Sequence, residues 1–261
     1  MPERDYSSIS PSAISILFMK ARTEIPYAKA AAELLLSRGV PSELTRSAND
    51  EAATRLLKHL EARYWSLDRL LLESGLSRVL ELGAGLSFRG LAFARAAGTF
   101  YLDTDLPELA ATKRDLIRQL APVELEGTLR VEALNALDEA AVFAAVELMP
   151  PGPVAIANEG LLMYLNDEEK ARLASNVRRV LEARGGVWLT ADVYIPSPSP
   201  DASAKSERAQ RFLQAHDVEA KKFPDFTAAE RFFAENGFSV RTRLGGERPD
   251  RIRESWMLAV T

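Results

Sequence analysis

From Arg78 onward the chain alternates short apolar runs with amphipathic windows, and few architectures can absorb that texture. Runs of five to eight residues rich in Val, Leu, Ile and Ala read as buried strands. The intervening windows carry apolar residues at helical spacing, which is the pattern of repeated strand–helix units around a parallel sheet. Strands are expected at Arg78–Leu82, Thr99–Asp103, Leu129–Ala133, Pro153–Ala157, Gly186–Val193, Phe238–Thr242 and Ser255–Val260. Helices are expected at Gly90–Ala97, Pro107–Leu120, Asp138–Leu148, Asp167–Arg184 and Thr227–Glu235. Only Arg243–Glu254 separates the last two strands, too little for a covering helix, so they should pair antiparallel at the sheet edge. The expected fold is α/β: a Rossmann-like, seven-stranded, mostly parallel sheet whose last strand is antiparallel.

Residues 1–75 form a helical extension ahead of this unit. Ser12–Ser37 carries an apolar pattern interrupted by Pro26, and Asn49–Ser74 places Leu56, Leu57, Leu60, Tyr64, Leu67, Leu70 and Leu71 on one stripe, ended by Gly75. Residues 76–261 form the main domain. Within it, Ile195–Pro200 alternates prolines with serines and leads into a polar stretch ending at Phe223. Residues 195–225 are expected to insert after the fifth strand and to lie as a lid over the strand ends, unless they are a plain connection.

Composition removes several function classes. There is no cysteine, so disulfide frameworks, thiolate metal sites and cysteine nucleophiles are excluded, and a reducing cytoplasm is the expected setting. The 33 basic and 37 acidic side chains leave a net charge of −4, and the densest basic stretch, Arg241–Arg253, is interrupted by acids, which argues against a nucleic-acid partner. No apolar stretch is long enough to span a bilayer, and Ile14–Met19 lacks the flanks of a signal peptide.

The chemistry concentrates at the tips of the expected strands. Val79-Leu80-Glu81-Leu82 runs into Gly83-Ala84-Gly85, where the missing Cβ atoms let backbone amides approach a ligand. About twenty residues beyond the first glycine, at the spacing where an acid meets ribose hydroxyls, stand Asp103 and Asp105. Both could serve, spacing alone prefers Asp103, and Asp105 could instead cap the helix at Pro107 with Glu108. The third glycine of a dinucleotide fingerprint is replaced by Phe88, which disfavours pyrophosphate; S-adenosyl-L-methionine, a nucleoside without phosphate, fits the turn. Asn135 could offer its amide to an adenine edge or cap a helix. Glu159, following the fourth strand, could hold the ammonium of a methionine moiety. A nicotinamide-dependent oxidoreductase and a non-catalytic binding protein are the rival readings.

Glu61-Ala62-Arg63-Tyr64, Leu82-Gly83-Ala84-Gly85, Asp103-Thr104-Asp105-Leu106-Pro107 and Asn158-Glu159-Gly160 through Tyr164-Leu165 together resemble the leucine carboxyl methyltransferase family, over roughly Leu57–Leu181. The bacterial side of that family includes methyltransferases of polyketide biosynthesis. The resemblance implies a methyltransferase that uses S-adenosyl-L-methionine on a small-molecule acceptor, at carboxylate or hydroxyl oxygen. It implies that Arg63 pairs with the methionine carboxylate, Gly83 lies against the cofactor, Asp105 rather than Asp103 takes the ribose, and Glu159 meets the methionine end. Asn135 and Ser87 depart from the family's usual acids at their positions, which weakens the transfer for adenine. No metal is implied, and no catalytic residue is assigned. His59 and His216 are the only histidines, and Tyr164 and Tyr194 are placed near the strand tips as substrate contacts or packing residues.

Overall fold

The computed structural model describes residues 10–40, 51–121, 124–196, 217–245 and 252–261. Its sheet has seven strands, β1 (Arg78–Leu82), β2 (Phe100–Asp105), β3 (Thr128–Ala133), β4 (Val154–Asn158), β5 (Gly186–Tyr194), β6 (Phe238–Gly245) and β7 (Arg253–Val260), in the order β3-β2-β1-β4-β5-β7-β6. The first five pair in parallel; β7 inserts between β5 and β6 and runs antiparallel to both. The chain order reverses between β1 and β4, so the crevice at their carboxyl ends is where an open α/β sheet binds ligands.

The helices are α1 (Ser10–Lys20), α2 (Ala28–Ser37), α3 (Glu51–Ser74), α4 (Arg89–Phe93), α5 (Pro107–Leu120), α6 (Glu139–Glu147), α7 (Asp167–Arg184) and α8 (Phe226–Glu235). Side chains alternate along β1 and divide it between two layers. Leu80 and Leu82 pack with the core of α6, α7 and α8, around Val142, Leu173, Val177 and Phe233. Val79 faces α3, whose Leu67, Leu70 and Leu71 close over Tyr101, Ala155 and Leu189. Full burial of each leucine stabilises by about 1.5–3 kcal/mol, so α3 is held to the sheet by its stripe. On the same side α1 and α2 form an outer layer, where Leu17, Phe18 and Leu35 share a core with Leu91, Leu109 and Leu116.

Two local expectations shift. The helix expected over Gly90–Ala97 is a short α4 that starts at Arg89 and stops at Phe93, because Gly90 packs without a Cβ against Tyr101, Leu129 and Asp103 and the chain must then turn back toward β2. Asp105 does not cap α5: the cap is Leu106, with Pro107 at the first helical position. Of the expected lid, residues 197–216, with His216, lie outside the described residues. Among the described residues, no helix is long and apolar enough to cross a membrane.

Candidate functional site

Six of the seven residues singled out in the sequence, Arg63, Gly83, Gly85, Asp105, Asn135 and Glu159, line one cavity at the tips of β1, β2, β3 and β4. Asp103 is not among its lining residues. It lies fully buried one pleat below, beside Lys113 Nζ at 2.8 Å. Between the two candidate acids, only Asp105 reaches the cavity.

The glycine turn follows from its backbone. Gly83 and Gly85 sit at φ +64 and +53, a region that favours residues without Cβ. A Cβ on Gly83 would press Leu161 at 3.2 Å, whereas Gly85 has only Ala13 of α1 nearby, at 3.9 Å. Asp105 braces this turn from the next strand, Oδ2 accepting from Gly85 N at 2.6 Å and Oδ1 from Leu106 N at 2.7 Å. Burial raises its carboxyl above the ordinary range, opposed by those two backbone donors. Asn135 Oδ1 accepts from Leu137 N at 3.0 Å, a local turn that fixes the side chain at the rim.

At the opposite end charge accumulates. Glu159 follows β4 on a loop tied down by Asp192, whose carboxylate accepts from Gly160 N, Leu161 N and Asn158 Nδ2 at 2.6, 2.8 and 2.7 Å. Three cations meet the Glu159 carboxylate. Lys20 Nζ and Arg63 Nε both donate to Oε1, at 2.8 and 3.1 Å, and Arg89 Nη2 donates to Oε2 at 2.5 Å. Burial alone would raise the Glu159 carboxyl, but Lys20, Arg63 and Arg89 override it and hold it well below the usual carboxylate range. Arg89, with no solvent exposure, also binds Glu81 Oε1 and Asp68 Oδ1, each at 2.5 Å, and Tyr101 donates to Glu81 Oε2. These three cations and three carboxylates balance, which is what makes so much buried charge tolerable.

Sequence reasoning missed Lys20 and Arg89; it expected a helix over the segment that carries the first, but did not bring that helix to the cavity. Lys20 ends α1, whose Ala13, Ile16 and Leu17 wall the cavity opposite the glycine turn. Its one signal was a lone cation closing an apolar helical run. Arg89 was signalled by Glu81, an acid inside the strand Val79–Leu82 that required a buried cation. Ser87 also lines the cavity, and its buried hydroxyl has no hydrogen-bond partner among the described residues. His59 is not among the residues that line the cavity. Its ring bonds Tyr194 Oη at 2.9 Å, and burial, reinforced by the charges of Arg63 and Arg253, lowers its pKa to about 3. Tyr164 lines the cavity; Tyr194 stands behind Arg63. Among the described residues, no group of three or more His, Asp or Glu could hold a metal.

The donor set suits a zwitterionic nucleoside: a pair of cations beside a carboxylate at one end, an acid at the ribose distance from the glycine turn, an unfilled backbone cradle at Gly85 and an orphan hydroxyl at Ser87. The family described as leucine carboxyl methyltransferase matches residues 17–178. The chain belongs to the leucine carboxyl methyltransferase family. The matched segment holds Lys20, Arg63, the glycine turn, Asp105, Asn135 and Glu159. A Mycobacterium avium (strain 104) protein provisionally named an S-adenosyl-L-methionine-dependent methyltransferase is 30% identical over 203 residues, 72% of this chain. The chain spans 64% of that relative's length. A duf574 family protein from Streptomyces avermitilis superposes with a TM-score of 0.56 at 18% identity, over 96% of this chain and 97% of that one. An O-methyltransferase from neocarzinostatin biosynthesis, solved with S-adenosyl-L-homocysteine and 1,4-dihydroxy-2-naphthoic acid, gives 0.54 at 17% identity, over 97% and 70%. At such identities these two likenesses establish the fold alone, the Rossmann-like sheet expected from the alternation.

Proposed function

We propose that the chain is an S-adenosyl-L-methionine-dependent methyltransferase acting on a small molecule at oxygen. The observation that carries this reading is the order of groups around one cavity: Lys20, Arg63 and Glu159 at one end, the glycine turn in the middle, Asp105 and Asn135 at the other. Lys20 and Arg63, which share Glu159 Oε1, would exchange it for the ligand's carboxylate, and Oε1 would then take the ammonium. Arg89 keeps hold of Oε2, so Glu159 stays ionised and oriented throughout. Asp105 would accept from the ribose hydroxyls and Asn135 would meet the adenine edge.

When bound, the cofactor supplies a methyl group activated on a sulfonium. The chain's part is alignment and exclusion of water, and the apolar wall of Ala13, Ile16, Leu17 and Leu161 serves the second. His59 is turned toward Tyr194 and does not line the cavity; an acceptor oxygen already ionised near neutral pH, a carboxylate or an acidic phenol, would need no base. The neocarzinostatin neighbour, solved with a dihydroxynaphthoic acid, supports acidic aromatic compounds of polyketide type as the first acceptors to try. The lack of cysteine supports a reducing compartment such as the cytoplasm.

Calorimetric titration with S-adenosyl-L-homocysteine and NAD tests the cofactor assignment, with heat expected from the first and none from the second. Labelled methyl transfer to a panel of aromatic acids and phenols tests the reaction. A well-folded chain that binds neither methyl donor nor its product ends the enzyme assignment.

A further inference from the structure

Arg63 is gripped by two partners. Its Nε donates to Glu159 Oε1 at 3.1 Å and its Nη1 to Tyr194 Oη at 3.4 Å, while Nη2 lies over Gly160, where a Cβ would come within 3.5 Å of it. Behind Tyr194 stands His59, one helical turn before Arg63 on α3 and therefore on the same face. The His59 Nε2 to Tyr194 Oη distance is 2.9 Å, and the rings lie 5.7 Å apart, tilted by 46°. A phenol has one proton and one oxygen. If its proton goes to a neutral His59, a lone pair is left facing Arg63, so the chain of donors runs one way, from Arg63 through Tyr194 to His59.

The neutral histidine follows from its surroundings: it is buried, and Arg63 and Arg253 add positive potential, with Glu159 opposing less than either and Lys222 adding least. A protonated ring could not accept from Tyr194. Nor is Tyr194 free to drift, since it is 6% exposed and its backbone lies opposite Arg253 on β7.

We propose that Tyr194, backed by His59, is a positioning residue for the cofactor: it holds the Arg63 guanidinium in plane when Arg63 exchanges the Glu159 oxygen for the ligand's carboxylate. The inference rests on the cofactor reading above and deepens it. At the exchange Arg63 gives up its contact with Oε1, and the Tyr194 oxygen is the fixed point that remains. Tyr194 therefore acts on the amino-acid end of the ligand and not on the adenosine.

That separation makes it testable. S-adenosyl-L-homocysteine carries the amino-acid tail; 5′-methylthioadenosine has the same nucleoside without it. The full chain and the variants Tyr194→Phe, His59→Phe and His59→Gln are titrated with both by calorimetry, and thermal melts check folding. Tyr194→Phe should raise the Kd for S-adenosyl-L-homocysteine roughly tenfold, the loss of one hydrogen bond to a charged group, and leave that for 5′-methylthioadenosine within about twofold. His59→Phe should move the same ligand in the same direction by less, and His59→Gln, whose amide oxygen can accept the phenol proton, should restore most of the loss. Equal weakening of both ligands in Tyr194→Phe would reduce the residue to a packing role, and an unchanged Kd for S-adenosyl-L-homocysteine would remove it from the site while leaving the cofactor reading intact. Failure of the unmodified chain to bind either ligand would overturn the cofactor reading, and this inference with it.

Discussion

Two buried carboxylates, one inside β2 and one just after β4, the strands that flank β1, meet opposite fates. Glu159 is gripped by Lys20, Arg63 and Arg89, and sits well below the ordinary range. Asp103 has one contacting cation, Lys113 at 2.8 Å; burial, reinforced by the charge of Glu81, raises its carboxyl to about 6, with Lys113 only partly opposing. Both residues are buried, so burial alone does not separate them. The number and aim of the cations decide, and the contrast divides function from scaffold: the over-provided acid is in the cavity and the under-provided one is beneath it.

The sharpest way to break this contrast is to remove Arg89, the cation that joins Glu159, Glu81 and Asp68. Arg89→Met leaves three carboxylates short of a partner in a dry interior and should cost about 3–5 kcal/mol, read by urea denaturation at neutral pH. A loss under about 1 kcal/mol would mean that the network is not what keeps these charges tolerable. Next in size, Glu159→Gln should weaken S-adenosyl-L-homocysteine by about 2 kcal/mol, roughly thirtyfold, because the amide oxygen can still accept from the ammonium but no longer pairs its charge. Calorimetry reads the affinity, and an unchanged Kd would place the ligand's ammonium elsewhere.

What the sequence reveals follows the range of the interactions. The alternation along 78–260 reports local periodicity, and the seven strands lie where it puts them, within a few residues at their ends. The glycine-turn end of the cavity was legible for a related reason: Gly83, Gly85 and Asp105 are placed by two adjacent strands and their turns, although the preference for Asp105 over Asp103 came from the family resemblance. The charged end was only half legible. Glu159 was legible from its place after the fourth strand and Arg63 from the family resemblance, whereas Lys20 meets Glu159 across 139 residues of chain, a contact made by docking α1 that no periodicity records. Asp103 misleads for a physical reason, since alternation gives it the same side of the strand as Asp105 but not the same depth.

The two carboxylates also pull stability with pH in opposite directions, and this yields the smallest expected effect. Glu159, with a depressed pKa, contributes stability above the ordinary glutamate value that is lost as pH falls through its folded value. Asp103 does the reverse. Between its ordinary value near 3.8 and about 6, the folded chain keeps a proton on Asp103 that the unfolded chain has released, so its contribution falls as pH rises through that window and then levels off. Replacing the pair by Asp103→Val with Lys113→Met removes both buried charges, and a β-branched residue suits the strand. Because one cation does not repay the desolvation of two ions, the double variant should match the unmodified chain within about 1 kcal/mol at pH 7, or exceed it. Its urea stability from pH 4 to 6 should lose the falling component that Asp103 supplies. A loss of several kcal/mol at pH 7 would show that the Asp103–Lys113 pair supports the fold as strongly as the Arg89 network, and the division between the two carboxylates would not stand.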